Sequence, residues 1–301
     1  MMSFKLNLPI FLVILDQLRL PILFGFGVMG IILFFFQARK RIWFFWLLLS
    51  LPVSYPFIDH WLEKNSDLRS PVHMPLKIMH QNCWGENPDT RPIFDKIKES
   101  LADIVLLQEC TPELYWRIRK ELVPSGYALS SEFEDFDPQH YHRYNRLVIL
   151  TKGFKILKRY RLKNHPVLVV HAKSFKTGRK YRFVSVHLQR VYDVDDLYYK
   201  ELANQIGLFD GITIMSGDFN MVPWSTHYQN FCSELGLKDG LKGKALVASY
   251  PAPKRLNIPA YKAPAFLPID RLLLSPELTT QQAKRLPALG SDHYGFTALV
   301  S

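Results

Sequence analysis

Apolar and polar positions alternate differently along two unlike parts of the chain. Leu20 to Phe36 is a run of 17 residues without a charge, and Ile42 to Ile58 is a second run of equal length. They flank the short basic segment Gln37-Ala38-Arg39-Lys40-Arg41. A membrane-crossing helix needs about 20 apolar residues, within a range of about 17–25. The pattern therefore predicts an N-terminal transmembrane helical hairpin within residues 1–62, with spans at 20–36 and 42–58. Leu8 to Leu15 is also apolar, but Asp16, Gln17 and Arg19 close it, and it is expected at the membrane interface. Residues 63–75 are polar and carry Ser66, Ser70, Pro71 and Pro75, the signature of a linker.

From residue 76 onward short β-type runs dominate. Strands are predicted at Leu76–Asn82, Ile104–Gln108, Leu147–Thr151, Val167–Ala172, Tyr181–His187, Ile212–Ser216, Arg271–Leu274 and Thr297–Val300. Ile93, Ile97 and Leu101 share one helical face. Thr111-Pro112-Glu113 opens a second helix with a capping residue and an early proline, and 195–208 has the spacing of a third. Several strands follow one another with no helix between them. That excludes a simple parallel βαβ array and favours mixed sheets covered by helices, an α+β sandwich.

Hydrophobic residues make up 48% of the 301-residue chain and charged residues 22%, which excludes a disordered protein. The formal net charge is +11, favourable to phosphate esters, nucleic acid or acidic lipid headgroups. Seven basic and four acidic residues precede residue 76, so +8 of that charge belongs to the remainder. Arg39, Lys40 and Arg41 between the apolar runs are expected to stay cytoplasmic by the positive-inside rule, which places the domain after residue 62 on the extracytoplasmic side. Cys83, Cys110 and Cys232 have no CxxC spacing and make neither a zinc site nor a disulfide framework. Cys83 and Cys110 read as small packed hydrophobes.

The candidate chemistry sits where apolar strands end. Asn82 follows Leu76-Lys77-Ile78-Met79, Glu109 follows Ile104 to Gln108, and His187 closes Phe183-Val184-Ser185-Val186. Asp218 and Asn220 follow Ile212 to Met215, and Asp292-His293 precede the last strand. Any one of these alone would serve as a turn residue. Together they are acids, amides and imidazoles at positions from which rigid sheets can present them to one cleft.

In order along the chain, Gln108-Glu109, Ser185-Val186-His187, Gly217-Asp218-Phe219-Asn220, Ile269-Asp270-Arg271 and Ser291-Asp292-His293 resemble the motifs of the endonuclease/exonuclease/phosphatase superfamily, the DNase I-like proteins. The resemblance covers 76–301. The apolar hairpin and the continuation to Pro223-Trp224-Ser225 resemble a bacterial membrane-anchored branch. The resemblance implies a four-layered α/β sandwich of two mixed sheets. It implies a catalytic domain over 76–301 acting as a Mg²⁺- or Mn²⁺-dependent phosphoric ester hydrolase. Glu109 would hold the metal with Asn82 and Asp292 nearby. Asp218 would orient or deprotonate the attacking water, and Asn220 would position it or the phosphate. Asp270 would pair with His293, an acid/base or charged clamp, and His187 would donate to the phosphate. Three neighbourhoods, Cys83-Trp84-Gly85, Arg271 and Tyr294-Gly295, depart from the apurinic-endonuclease pattern and leave the chemical groups intact.

Three functions are compatible with these residues. The first is hydrolysis of phosphodiesters, nuclease-like. The second is hydrolysis of sphingomyelin, phospholipid headgroups or inositol phosphates near the bilayer to which the hairpin would anchor the chain. The third is a catalytically silent membrane-anchored binding protein, which would not need the Asp270–His293 pair. Two segments, His140 to Arg146 and Tyr250 to Pro268, are candidates for the rim that meets substrate, although His140 to Arg146 would serve equally as a solvated loop.

Overall fold

The computed structural model describes residues 15–35, 42–44, 46, 48, 50–51, 74–135, 146–194, 196–243, 248–253 and 265–301. Much of the second apolar run, nearly all of the linker, most of His140 to Arg146 and the middle of Tyr250 to Pro268 lie outside these residues. The first apolar run folds as helix α1, Arg19–Phe35. No helix among the described residues is long and apolar enough to cross a membrane.

Among the described residues from 74 onward, two six-stranded mixed sheets form the centre. In chain order the strands are β1 (Leu76–Asn82), β2 (Ile104–Gln108), β3 (Ala128–Ser131), β4 (Val148–Thr151), β5 (Phe154–Arg161) and β6 (Val167–Ser174). They continue with β7 (Lys180–His187), β8 (Ile212–Asp218), β9 (Lys238–Asp239), β10 (Asp270–Leu274), β11 (Thr280–Arg285) and β12 (Phe296–Val300). One sheet runs β11-β12-β1-β2-β4-β3 and the other β5-β6-β7-β8-β10-β9. Each has one parallel pair at its centre, β1 with β2 and β7 with β8, and antiparallel neighbours elsewhere.

Helices α2 (Arg91–Ser100) and α3 (Pro112–Glu121) cover the first sheet; α4 (Asp196–Ile206) and α5 (Thr226–Leu235) cover the second. Thr111 caps α3 by accepting from Leu114 N, and Ser225 caps α5 by accepting from Tyr228 N. Gly236 closes α5 in the left-handed conformation. Ile93, Ile97, Leu114 and Ile118 pack on Met79, Val105 and Leu107, while Leu202, Ile206 and Phe231 pack on Val184, Val186 and Met215.

Side chains alternate across a strand, so every second residue of β1, β2, β7, β8 and β10 faces the opposite sheet. At one end of this inter-sheet layer those residues are apolar: Ile78, Ile104, Leu106, Phe183, Ile214, Leu272 and Leu274. Two residues further along each strand they turn polar, through His80, Gln108, Ser185 and Ser216 to Asn82, His187, Asp218 and Asp270. The parallel pairs bring the C-terminal ends of β1, β2, β7 and β8 to the same edge. The site is the polar end of an otherwise greasy core.

Candidate active site

Strand register sets the first contacts. Asp218 lies opposite His187 on one side and Asp270 on the other. Asn82 pairs with Gln108, so Glu109 emerges beside it. Glu109 has φ +50° and Asn220 φ +51°, left-handed conformations uncommon outside glycine and least natural for glutamate. Strain of this kind persists where the surroundings impose it, and both residues lie beside Asp218 and Asn82.

Asn82 Nδ2 donates to Glu109 Oε1 at 3.1 Å and to Asp218 Oδ2 at 3.2 Å, bridging the two sheets. Its Oδ1 accepts from Trp84 N at 3.0 Å. The amide nitrogen, not the oxygen, thus faces the carboxylates, and Asn82 would have to turn to become a cation ligand. Glu109 Oε2 accepts from Gly85 N at 2.8 Å. His187 Nε2 stands 3.7 Å from both Glu109 Oε1 and Asp218 Oδ2, and His293 Nε2 stands 3.7 Å from Asp218 Oδ2. These gaps are too long for hydrogen bonds. His293 Nδ1 donates to Asp270 Oδ2 at 2.8 Å.

Asp292 is tied in through its neighbour. Ser291 Oγ donates to Asn82 O at 2.7 Å and accepts from His293 N, which anchors the 291–293 turn to the end of β1. Asn220 N donates to Asp218 Oδ1 at 2.8 Å, while its side-chain amide donates to Leu188 O at 2.8 Å. Asn220 therefore braces the turn that aims Asp218.

Burial pushes the Asp218 carboxyl up to about 6; ionised Asp270 adds to the rise, and His293 and His187 oppose it. Burial works against the Asp270 charge as well, but His293 and His80 outweigh it and hold that carboxyl well below the usual range. His293 is held well above the ordinary imidazole value because Asp270 and Asp218 overcome its desolvation. Two neighbouring carboxylates are thus driven apart, one basic and one firmly ionised.

Glu109 is buried among neutral donors, and among the described residues its only ion-pair partner is His187. A buried carboxylate so placed suits a hard divalent cation. Ligand atoms of Asp218, Asp270 and His293 also lie within 4.8 Å of one another, near enough to share a cation. Both Asp270 oxygens already accept from imidazoles, which makes that trio the weaker cage.

The structure brings together Asn82, Glu109, His187, Asp218, Asn220, Asp270 and His293, with Asp292 beside His293, whose charged form it favours. Sequence reasoning missed His80, whose Nε2 donates to Asp270 Oδ1 at 2.7 Å, and Ser216, 3.1 Å from His80 Nδ1. A histidine within the apolar start of β1 was the available signal.

The model of the Endonuclease/Exonuclease/phosphatase family matches residues 79–293, from β1 to His293. The chain belongs to this family. Members of the endonuclease/exonuclease/phosphatase family are phosphoester hydrolases, typically dependent on a divalent metal. Among solved structures, the Bacteroides vulgatus member superposes with a TM-score of 0.59 at 18% identity, covering 76% of this chain and 99% of that one. D. rerio TDP2 complexed with single-strand DNA product gives 0.57 at 17%, covering 76% and 100%. The Bacteroides thetaiotaomicron mannosyl-6-phosphatase gives 0.57 at 16%, covering 75% and 99%. At these identities the likeness is one of fold. No curated protein matches the sequence.

Proposed function

We propose that the chain hydrolyses phosphodiesters with Mg²⁺ or Mn²⁺ and an activated water. The observation that carries this reading is the ring around Asp218 Oδ2: Asn82 Nδ2 at 3.2 Å, with His187 and His293 Nε2 each at 3.7 Å. An ionised, basic carboxylate facing two imidazoles across gaps wider than a hydrogen bond leaves them to be bridged by water and phosphate oxygens.

Glu109 and Asp292 would hold the cation, with Asn82 beside them. When bound, the cation offsets charge on a nonbridging phosphate oxygen and on the leaving group. Asp218, with its pKa near 6, is ionised at neutral pH yet basic enough to take a proton from water. His293, kept cationic by Asp270, donates from Nε2 to the phosphate or leaving oxygen. His187 supplies a second donor, and Asn220 holds the Asp218 turn. This intact acid and imidazole set argues against a silent binding protein.

One observation favours an amphiphilic substrate as the second reading. Asp16 Oδ2 accepts from Thr226 N at 3.0 Å, at the positive N-terminal end of α5, and Gln17 Oε1 accepts from Val222 N at 2.9 Å. The root of α1 is thereby fastened to the loop that follows Asp218 and Asn220. Phe24, Ile31, Phe34 and Phe35 of α1 are each at least 60% exposed, as suits an apolar surrounding. In this reading the two apolar runs anchor the chain in the cell membrane of a bacterium, the catalytic domain is extracytoplasmic, and headgroup phosphoesters lie within reach.

A substrate panel decides among these readings. Single-stranded DNA, sphingomyelin vesicles, inositol phosphates and bis(4-nitrophenyl) phosphate are offered with Mg²⁺ and with a chelator. Chelator-sensitive cleavage that Asp218→Ala and His293→Ala abolish is expected. Near-wild-type activity in either variant, correctly folded, overturns the assignment. A C-terminal reporter active only outside the cytoplasm tests the topology, and a silent reporter on inserted protein rejects it.

A further inference from the structure

Asp270 has no exposed surface, and its two oxygens serve two imidazoles from different parts of the chain. Oδ2 accepts from His293 Nδ1 at 2.8 Å, and Oδ1 accepts from His80 Nε2 at 2.7 Å. His80 belongs to β1 and Asp270 to β10, so the second bond crosses from one sheet to the other directly beneath the cleft. The His80 ring is fully buried. It stacks on Phe296 with centroids 4.8 Å apart and planes 18° apart, and its Nδ1 lies 3.1 Å from Ser216 Oγ. Ser216 is fixed in turn by donating to Arg271 O at 2.8 Å.

An aspartate carboxylate has only broad preferences about its terminal torsion. Held by one oxygen, it can turn and carry its partner with it. Held by both, its plane is fixed. His80 is too deep to meet substrate, so any effect on chemistry must be indirect, and Asp270 is its one partner that also holds a site imidazole. We propose that His80 is a positioning residue: by clamping Asp270 Oδ1 it sets the carboxylate plane, and so aims the His293 ring across the cleft at Asp218. Its two nitrogens have separate tasks, Nε2 toward Asp270 and Nδ1 toward Ser216. The kinetic consequence rests on the phosphoesterase reading; the orientation of His293 does not.

Three variants of the full-length chain separate the possibilities. His80→Gln keeps a donor near the Nε2 position, His80→Asn keeps one only near Nδ1, and His80→Leu keeps neither. Loss of a bond to a charged partner predicts that kcat on bis(4-nitrophenyl) phosphate falls by roughly 10–100-fold in His80→Asn and His80→Leu, with KM within about threefold and His80→Gln close to wild type. In chain labelled with ¹⁵N-histidine, the Nδ1–H resonance of His293, assigned by its loss in His293→Asn, should move in the Asn and Leu variants and stay in Gln. Equal kcat in all three folded variants with an unmoved His293 resonance overturns the proposal, as does an equal loss in Gln and Asn. If His80→Leu does not fold, the Gln and Asn pair decides alone. If wild type turns over no phosphoester while the resonance moves as expected, the hydrolase reading fails and the positioning of His293 stands.

Discussion

Asp270→Asn changes the chemistry of one buried group and leaves its volume alone. The carboxylate carries two imidazoles at 2.7 and 2.8 Å and is ionised despite complete burial. In the amide, one oxygen becomes an NH₂ donor, so the imidazole facing it must present its bare nitrogen, and both imidazoles lose a charged partner. Hydrogen bonds to charged partners contribute about 1.5–3 kcal/mol and neutral ones about 0.5–1.5 kcal/mol, so each contact weakens by about 1 kcal/mol or somewhat more. An amide is less costly to bury than a carboxylate, which offsets part of this and leaves a net loss of about 1–2 kcal/mol. For a domain of this size that is a fall of about 2–8 °C in Tm. The effect on rate is larger, because His293 loses the anion that holds its cation. Removing one preorganised electrostatic group raises a barrier by about 2.7–4 kcal/mol, or about 10²–10³-fold in kcat. The assay is Mg²⁺-dependent turnover of bis(4-nitrophenyl) phosphate beside a thermal melt of the same preparation. A cooperative melt within a few degrees of wild type together with kcat within about threefold refutes the reasoning.

Other perturbations follow from the same geometry. Asp218 must be deprotonated to act as base, so kcat/KM should climb with pH through about 6 and level off above it; a flat profile from pH 5 to 8 removes Asp218 from that role. His293 has a folded pKa above its unfolded value of about 6.5, so its stabilisation is complete below about that pH and is lost as pH rises through the folded value. His293→Ala should therefore flatten the alkaline fall in Tm, and an unchanged slope contradicts the pairing. Glu109→Gln should raise the Mg²⁺ concentration for half-maximal activity by about 10-fold or more, and an unaltered metal requirement places the cation elsewhere. A Cβ on Gly217 would collide with the backbone of Val186 in β7, which cannot move aside. Gly217→Ala should cost about 1–3 kcal/mol or more, visible as a lowered Tm, and an unchanged melt contradicts the tight β7–β8 register.

The central strands of both sheets were legible because burial on two faces makes them nearly continuous apolar runs, as in Ile104 to Leu107 and Ile212 to Met215. Edge strands were not. In β5, Phe154–Arg161, and β11, Thr280–Arg285, most side chains are wholly or partly exposed, and their Lys, Arg and Gln residues read as loop. Helix α5 carried its signals in Ser225 and Gly236, but its mixed interior, Thr226 to Leu235, hid the helical period. Site residues stood out where a polar group interrupts the end of a run, as at Glu109, His187 and Asp218. His80 did not, because its spacing from Asn82 puts both on one face of β1 but does not say what a histidine there would meet. Its partner Asp270 is 190 residues away, and only the packing of one sheet on the other joins them.

The most direct test of the account is turnover of bis(4-nitrophenyl) phosphate by the purified chain, first in Mg²⁺, then after chelation, then with Mg²⁺ restored. Hydrolysis that disappears with the chelator and returns with the cation is the expected result. Hydrolysis indifferent to chelation, or none against this or any other phosphoester by correctly folded protein, contradicts a metal-dependent site built on Glu109, Asp218 and His293.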